Sequence, residues 1–119
     1  MAACRDDGRS WSFYLLNDNH FSLDEAILYE VNCEWGDWGN SESTDVHITD
    51  LAPGGHARIW RDGGSGVELR MEFCLRIRRG GRKAQMKFEF PKLYRKKDLP
   101  VVKALDRPGW EEFGEARVH

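Results

Sequence analysis

The chain has 119 residues, of which 40% are hydrophobic and 32% are charged, and its formal net charge is −2. This is the balance of one soluble globular domain that buries its own core. It excludes a disordered tail, a collagen-like repeat and an apolar run long enough to span a membrane. We predict a single domain with a flexible N-terminus at 1–10, a β-sandwich at 11–91 and a C-terminal extension at 92–119 that packs on the sandwich.

The cysteines indicate a reducing compartment. Cys4, Cys33 and Cys74 are odd in number and widely spaced, unlike the cysteines of a secreted disulfide scaffold or a zinc site. We therefore expect a cytoplasmic protein. The small residues before Cys4 resemble the end of a lipoprotein signal, but the apolar stretch that should precede it is absent; an upstream gene start with such a stretch would indicate a lipoprotein.

Alternation of apolar and polar residues predicts strands along most of the chain. The first strand is expected at Ser12–Leu16, and shorter ones at Val46–Ile48 and Ala57–Trp60. Three long alternating segments follow the same period of two: Leu23–Trp35, Val67–Ile77 and Ala84–Phe90. In the first two, the odd-numbered residues form the apolar face; in the third, the even-numbered ones do.

One segment also permits a helix. Ser22–Glu25 has the form of a capping box, and Ala26, Ile27 and Leu28 follow it. A helix would bury Leu23, Ala26, Ile27 and Val31, but it would leave Tyr29 and Trp35 without a place in the core. The period of two accounts for more residues, so a strand is the preferred interpretation.

Turn-forming residues separate the predicted strands. Residues 17–20 and 62–66 are rich in Asn, Asp and Gly, and Pro53-Gly54 fits a type II turn. Arg79-Gly80-Gly81-Arg82 joins two long alternating segments and predicts a tight hairpin. Beyond Pro91 the alternation ends, and we expect an edge strand at residues 100–102 and a single helical turn from Asp106 towards Phe113.

Short strands with turns about every ten residues predict an all-β fold, an antiparallel β-sandwich of six or seven strands. Residues 12–90 resemble bacterial immunoglobulin-like and fibronectin-III-like modules in the segments "YLLND" and "ITDLAPGGHARIW". The resemblance implies an immunoglobulin-like sandwich and assigns no functional residue. Cys33 is expected on an apolar face and Cys74 on a polar one, which argues against a disulfide between them.

Charge is divided unevenly along the chain. Residues 1–66 carry a net charge of −8 and residues 67–119 a net charge of +6. Pairing between the two halves is the preferred explanation, since opposite charges across a sheet stabilise it. The alternative is an anion-binding surface around the predicted hairpin. Its candidate residues are Arg76, Arg78, Arg79, Arg82, Lys83 and Lys87.

A second candidate surface is rich in tryptophan. Trp38 lies in a glycine-rich segment beside Asp37 and Asn40, and Trp60 is expected on the polar face of its strand. An exposed tryptophan contributes a large contact area at a low cost in entropy, so these residues could bind a partner protein or a carbohydrate. The alternative is that Trp38 folds back over the open end of the sandwich.

Catalytic, metal and cofactor sites have little support in the sequence. The chain contains no nucleophile elbow, phosphate loop or dinucleotide fingerprint, and the acidic residues between Asp37 and Asp45 lack the spacing of a calcium loop. The preferred hypothesis is a non-catalytic protein-interaction module, with the possibility of a homodimer through a strand edge. The alternatives are binding of nucleic acid, another polyanion or a carbohydrate, and an unrecognised enzyme.

Overall fold

A computed structural model describes residues 1–6, 10–33, 46–62, 70–93 and 96–116. These residues form strands and contain no helix, and so no helix among them could cross a membrane. The strands are β1 (Ala2–Arg5), β2 (Trp11–Leu16), β3 (Leu23–Cys33), β4 (Val46–Leu51), β5 (His56–Asp62), β6 (Met71–Arg79), β7 (Arg82–Phe90), β8 (Val101–Val102), β9 (Arg107–Pro108), β10 (Trp110–Glu111) and β11 (Glu115–Ala116).

Nine of these strands form two packed antiparallel sheets, which confirms the predicted all-β sandwich. The four-stranded sheet has the order β10-β1-β2-β5, and the five-stranded sheet has the order β11-β7-β6-β3-β4. Apolar side chains of both sheets meet in one core. At its centre, Phe13 of β2 lies 4.7 Å from Phe73 of β6 and 5.1 Å from Phe90 of β7, measured between ring centroids. Aromatic contacts therefore join the two sheets.

A β-bulge in β3 changes which residues face the core. Leu28 pairs with Leu75 and Glu30 pairs with Cys74, so β3 has one extra residue, Tyr29, between these two pairs. One extra residue exchanges the two faces of a strand. Ala26 and Leu28 are consequently buried before the bulge and Val31 after it. The single apolar face predicted at odd positions from Leu23 to Trp35 is therefore wrong, although the strand itself is confirmed.

The N-terminal residues form a buried strand, and the expectation of a flexible segment is wrong for residues 1–5. β1 lies inside the four-stranded sheet between β2 and β10. Ala2, Ala3 and Cys4 are fully buried. Their small side chains allow covering layers to approach both faces of the strand. Burial raises the pKa of the Cys4 thiol, and Cys4 and Cys74 are both free.

The outer face of the four-stranded sheet is covered by residues 96–109, here called the C-terminal strap. Val102 of the strap packs with Ala2 and Leu16 in a second, smaller core. The predicted strand at 100–102 is found as β8, which pairs with β9. The predicted helical turn after Asp106 is wrong, because residues 107–108 and 110–111 form β9 and β10. The strap then joins the four-stranded sheet through the pairing of β10 with β1.

A polar contact fastens the strap to the sheet. Arg107 donates to the Asp6 carboxylate at 3.2 Å and to the Arg5 carbonyl at 2.9 Å. Ser12 donates to the other Asp6 oxygen at 2.5 Å. Burial raises the pKa of Asp6, but these hydrogen bonds outweigh it and the net pKa lies below the usual value. The ionised carboxylate is therefore the form that holds the strap.

We expect Asp6→Asn to lower the free energy of unfolding by about 1–2 kcal/mol near pH 7, since it weakens hydrogen bonds to a charged group. Because the pKa of Asp6 is lowered in the folded state, its contribution is complete above the unfolded pKa of about 3.9 and is lost as the pH falls through the folded value. Urea denaturation across the acid range measures this. Asp98→Asn, an exposed site of the strap, is the control, and a difference from wild type that persists in strong acid would contradict the role of Asp6.

Candidate functional site

The predicted tight hairpin is present, and its turn explains the two glycines. Gly80 and Gly81 have φ values of +55° and +80°. A two-residue turn with positive φ at both positions matches the right-handed twist of the strands that it joins. Arg79 and Arg82 are opposite each other beside the turn, and the register continues through Arg78–Lys83 and Arg76–Gln85. The turn therefore determines which basic residues are neighbours.

The register divides the six candidate anion-binding residues between two faces of the hairpin. Alternation places Arg76, Arg78 and Lys83 on the outer face of the five-stranded sheet, away from the core, while Arg79 and Arg82 share the opposite face near the turn. Lys87 is also on the outer face, but it lies 3.2 Å from Glu89 in an ion pair. The six residues do not form one patch: four lie on the outer face, and three of those four line one groove.

These three cations line a groove of about 500 Å³ on the outer face of the hairpin. Its wall also includes Glu25 and Ile27 of β3 and Gln85 of β7. Cations outnumber carboxylates in this lining. The Glu25 carboxylate already contacts His47 at 2.8 Å and Arg78 at 4.0 Å. The groove therefore has an excess of positive charge, which favours an anionic ligand.

Two of the groove's cations have no carboxylate partner among the described residues. The Arg76 guanidinium lies over the Tyr29 ring, 4.6 Å from its centroid. Stacking holds the planar guanidinium in place and leaves its N–H groups available for a carboxylate. Lys83 likewise has no carboxylate of the described residues within 4.0 Å. These two side chains supply positive charge that no carboxylate of the described residues neutralises.

Other basic residues are engaged within the fold. Arg78 lies 3.8 Å from Asp24, whose carboxylate also accepts a hydrogen bond from the Gly80 N–H at 2.8 Å. Arg79 stacks on Phe21, with 4.1 Å between the guanidinium carbon and the ring centroid. The expected pairing between the acidic and basic halves of the chain thus occurs at Arg78, and again where Arg107 contacts Asp6. These contacts orient the hairpin against β3.

The tryptophan surface is only partly within the described residues. Trp38, Asp37 and Asn40 lie outside them. Phe13 of β2 pairs with Trp60 of β5, and Tyr14 pairs with Arg58, so Ile59 is an extra residue in β5. This bulge directs Trp60 towards the core, where it is half-buried and lies 6.4 Å from the Phe73 ring. The expectation that Trp60 projects from the polar face of its strand is therefore wrong.

Two other grooves carry a more even charge. One, of about 380 Å³, places Arg70 and Lys87 with Glu89 and Glu112, beside the exposed ring of Phe113. The other, at the strap, places three cations with two aspartates. No group of three or more histidine, cysteine or carboxylate side chains in the described part of the chain could hold a metal ion. Of these three grooves, the hairpin groove has the largest excess of one charge.

Sequence reasoning missed Gln85 and Tyr29 as parts of this site. Gln85 could have been found by pairing residues outward from the Gly80-Gly81 turn, because the register of a two-residue hairpin places Gln85 opposite Arg76. Tyr29 could not, since it reaches Arg76 through a bulge in β3 that the alternation conceals. No protein-family model matches the chain, and neither a curated protein nor a solved structure is significantly similar to it.

Proposed function

We propose that this chain is a non-catalytic protein-interaction module that binds an acidic segment of a partner protein in the hairpin groove. The observation that carries the proposal is that Arg76 and Lys83, beside Arg78, have no carboxylate partner in the part of the chain that the structure describes. A guanidinium held on a ring is a preorganised receptor for a carboxylate, because little side-chain entropy is lost on binding.

The surroundings favour an acidic peptide over nucleic acid. The basic patch is short, and Glu72 and Glu89 lie further along the same sheet face. A nucleic-acid surface needs cations that follow many phosphates. It also uses free aromatic rings for stacking, whereas the rings of Tyr29 and Phe21 already carry arginine side chains. A few carboxylates on a short segment match the size of the groove.

The test is the affinity for a labelled peptide of about twelve residues in which Glu and Thr alternate, measured by fluorescence anisotropy at about 0.02 M and about 0.15 M salt. A Gln-Thr peptide, an oligonucleotide of similar length and heparin are titrated in parallel. We expect the Glu peptide to bind more tightly than the others and to weaken with salt. Absence of binding at low salt, or tighter binding of the oligonucleotide or heparin, would overturn the proposal.

We expect the double variant Arg76→Glu/Lys83→Glu to weaken binding of the Glu peptide by at least about tenfold, or about 1.4 kcal/mol. It replaces the two cations that line the groove beside Arg78 by charges that repel the peptide. The matched control is Arg58→Glu/Lys103→Glu, which makes the same change in net charge at exposed positions outside the groove. If both double variants lose affinity equally, binding depends on net charge and the groove is not the site.

A further inference from the structure

We infer that the acidic segment binds as an added β-strand on the edge of β7 between Arg82 and Gln85. This inference rests on the proposed function and states how the ligand is held. β7 is followed in the five-stranded sheet by β11, but β11 pairs only with Met86 and Lys87. Among the described residues, nothing pairs with β7 between Arg82 and Gln85 on the side away from β6.

The hairpin register determines which backbone groups this edge offers. In an antiparallel pair, residues alternate between those that exchange hydrogen bonds with the partner strand and those whose N–H and C=O groups point away from it. The pair beside a two-residue turn, Arg79–Arg82, is of the first kind. Counting from it, Lys83 and Gln85 direct their backbone N–H and C=O groups outward, towards an incoming strand.

The same two residues also line the groove with their side chains. An added strand would hydrogen-bond to the backbone of Lys83 and Gln85, and every second side chain of that strand would lie on the groove face. Alternate residues of an extended chain are about 6.6–6.8 Å apart, the same spacing that separates Lys83 from Gln85 and Arg76 from Arg78. Alternating acidic residues would therefore meet successive rows of the groove.

The chain itself provides a precedent on this edge. β11 adds to β7 in antiparallel register, with Glu115 opposite Lys87. Glu115 is thus the register partner of Lys87, two residues after the end of the unpaired stretch. A partner strand would repeat this arrangement opposite Gln85 and Lys83.

Amide hydrogen exchange tests the added strand directly. In the complex with the Glu-Thr peptide, we expect exchange of the Lys83 and Gln85 amide protons to slow by at least about tenfold, as expected for amides that gain hydrogen bonds. The Ala84 amide, which points towards β6, should change little. If the peptide binds but exchange at Lys83 and Gln85 is unchanged, the added strand is wrong and the proposed function stands. If the peptide does not bind, the proposed function itself has failed.

A proline variant gives a second test. Gln85→Pro removes an outward N–H without removing a bond to β6, and proline is tolerated in strands at such edge positions. Relative to Gln85→Ala, which removes the same side chain but keeps the N–H, we expect Gln85→Pro to weaken peptide binding by about tenfold. Thermal melting of both variants checks that the hairpin is folded. Equal affinity of the two folded variants would overturn the added strand.

A chain that ends at Ala116 completes the experiment, because residues 117–119 follow β11 directly and lie outside the described part of the chain. Equal or tighter binding by this shorter chain supports an added strand on the β7 edge. Weaker binding would show that residues 117–119, and not the edge, hold the peptide, and would overturn the inference.

Discussion

Phe73→Ala is expected to lower the free energy of unfolding by about 3–5 kcal/mol, the range for removing a fully buried aromatic ring. Phe73 belongs to the five-stranded sheet, and its ring contacts those of Phe13, Phe90 and Trp60, with centroids 4.7, 5.7 and 6.4 Å away. Phe13 and Trp60 belong to the opposite sheet. The substitution therefore leaves a cavity between the two layers, and this loss is a large fraction of the total stability of a small domain.

Urea denaturation followed by tryptophan fluorescence measures the effect of Phe73→Ala. Phe113→Ala is the matched control, because the same ring is removed from a position that is 86% exposed. We expect the control to change the free energy of unfolding by less than about 0.5 kcal/mol. Equal losses at the two positions would contradict the assignment of Phe73 to the centre of the core.

Gly109→Ala is expected to cost about 1–3 kcal/mol because it overfills a closely packed crossing. Gly109 lies where the strap leaves the outer face and enters the four-stranded sheet. A Cβ atom there would be 2.7 Å from the Ala3 carbonyl oxygen, 2.8 Å from the Cys4 sulfur and 2.9 Å from a methyl group of Val102. The carbonyl belongs to the backbone of β1, so it cannot move aside without disturbing the sheet.

A double-mutant cycle identifies the cause of the loss at Gly109. Cys4→Ala removes the sulfur atom that the new methyl group would meet, but it leaves the Ala3 carbonyl in place. We expect Cys4→Ala to recover part of the stability lost in Gly109→Ala, and the coupling is measured from urea denaturation of the four proteins. Strictly additive losses would show that the methyl group and the sulfur do not meet.

The alternation of residue types was enough to predict the two-layer architecture and the basic hairpin. The strands from β2 to β7 follow from the period of two together with turn residues, and the glycine pair at 80–81 specifies a hairpin because few other residues accept its backbone angles. The bulges at Tyr29 and Ile59 could not be predicted. An extra residue alters no propensity and shows itself only when the opposite strand is known.

The two ends of the chain were harder to predict for a different reason. Ala2, Ala3 and Cys4 have small side chains with little preference for strands. They form a strand here because other parts of the chain pack closely over both of its faces. The strap and the strand that follows it show no sustained alternation, since β8, β9 and β10 are two residues each. For both segments, the structure is determined by contacts between residues distant in sequence, which no local pattern records.

The candidate site also combines features that local sequence predicts with features that depend on contacts between residues distant in sequence. The charge of Arg76, Arg78 and Lys83 was evident from the sequence, and the hairpin turn determines that Arg78 and Lys83 face each other. What distinguishes Arg76 from Arg78 is their surroundings on β3, where one meets a tyrosine ring and the other two carboxylates. That distinction depends on the pairing of β3 with β6, which joins residues about 50 positions apart.

The pairing of β1 with β10 has a consequence for how the chain acquires its structure. Ala3 is hydrogen-bonded to a strand containing Trp110, and closing a loop of about a hundred residues costs on the order of 4 kcal/mol in chain entropy. β1 and β2 are close in sequence and can associate early, whereas the other edge of β1 has no partner until the chain has been made beyond residue 110. The face that carries Ala2 and Leu16 likewise stays in contact with water until the strap residue Val102 has been made. Closure of this sheet is therefore a late step of folding during synthesis, and contacts so distant in sequence slow the folding of a small domain.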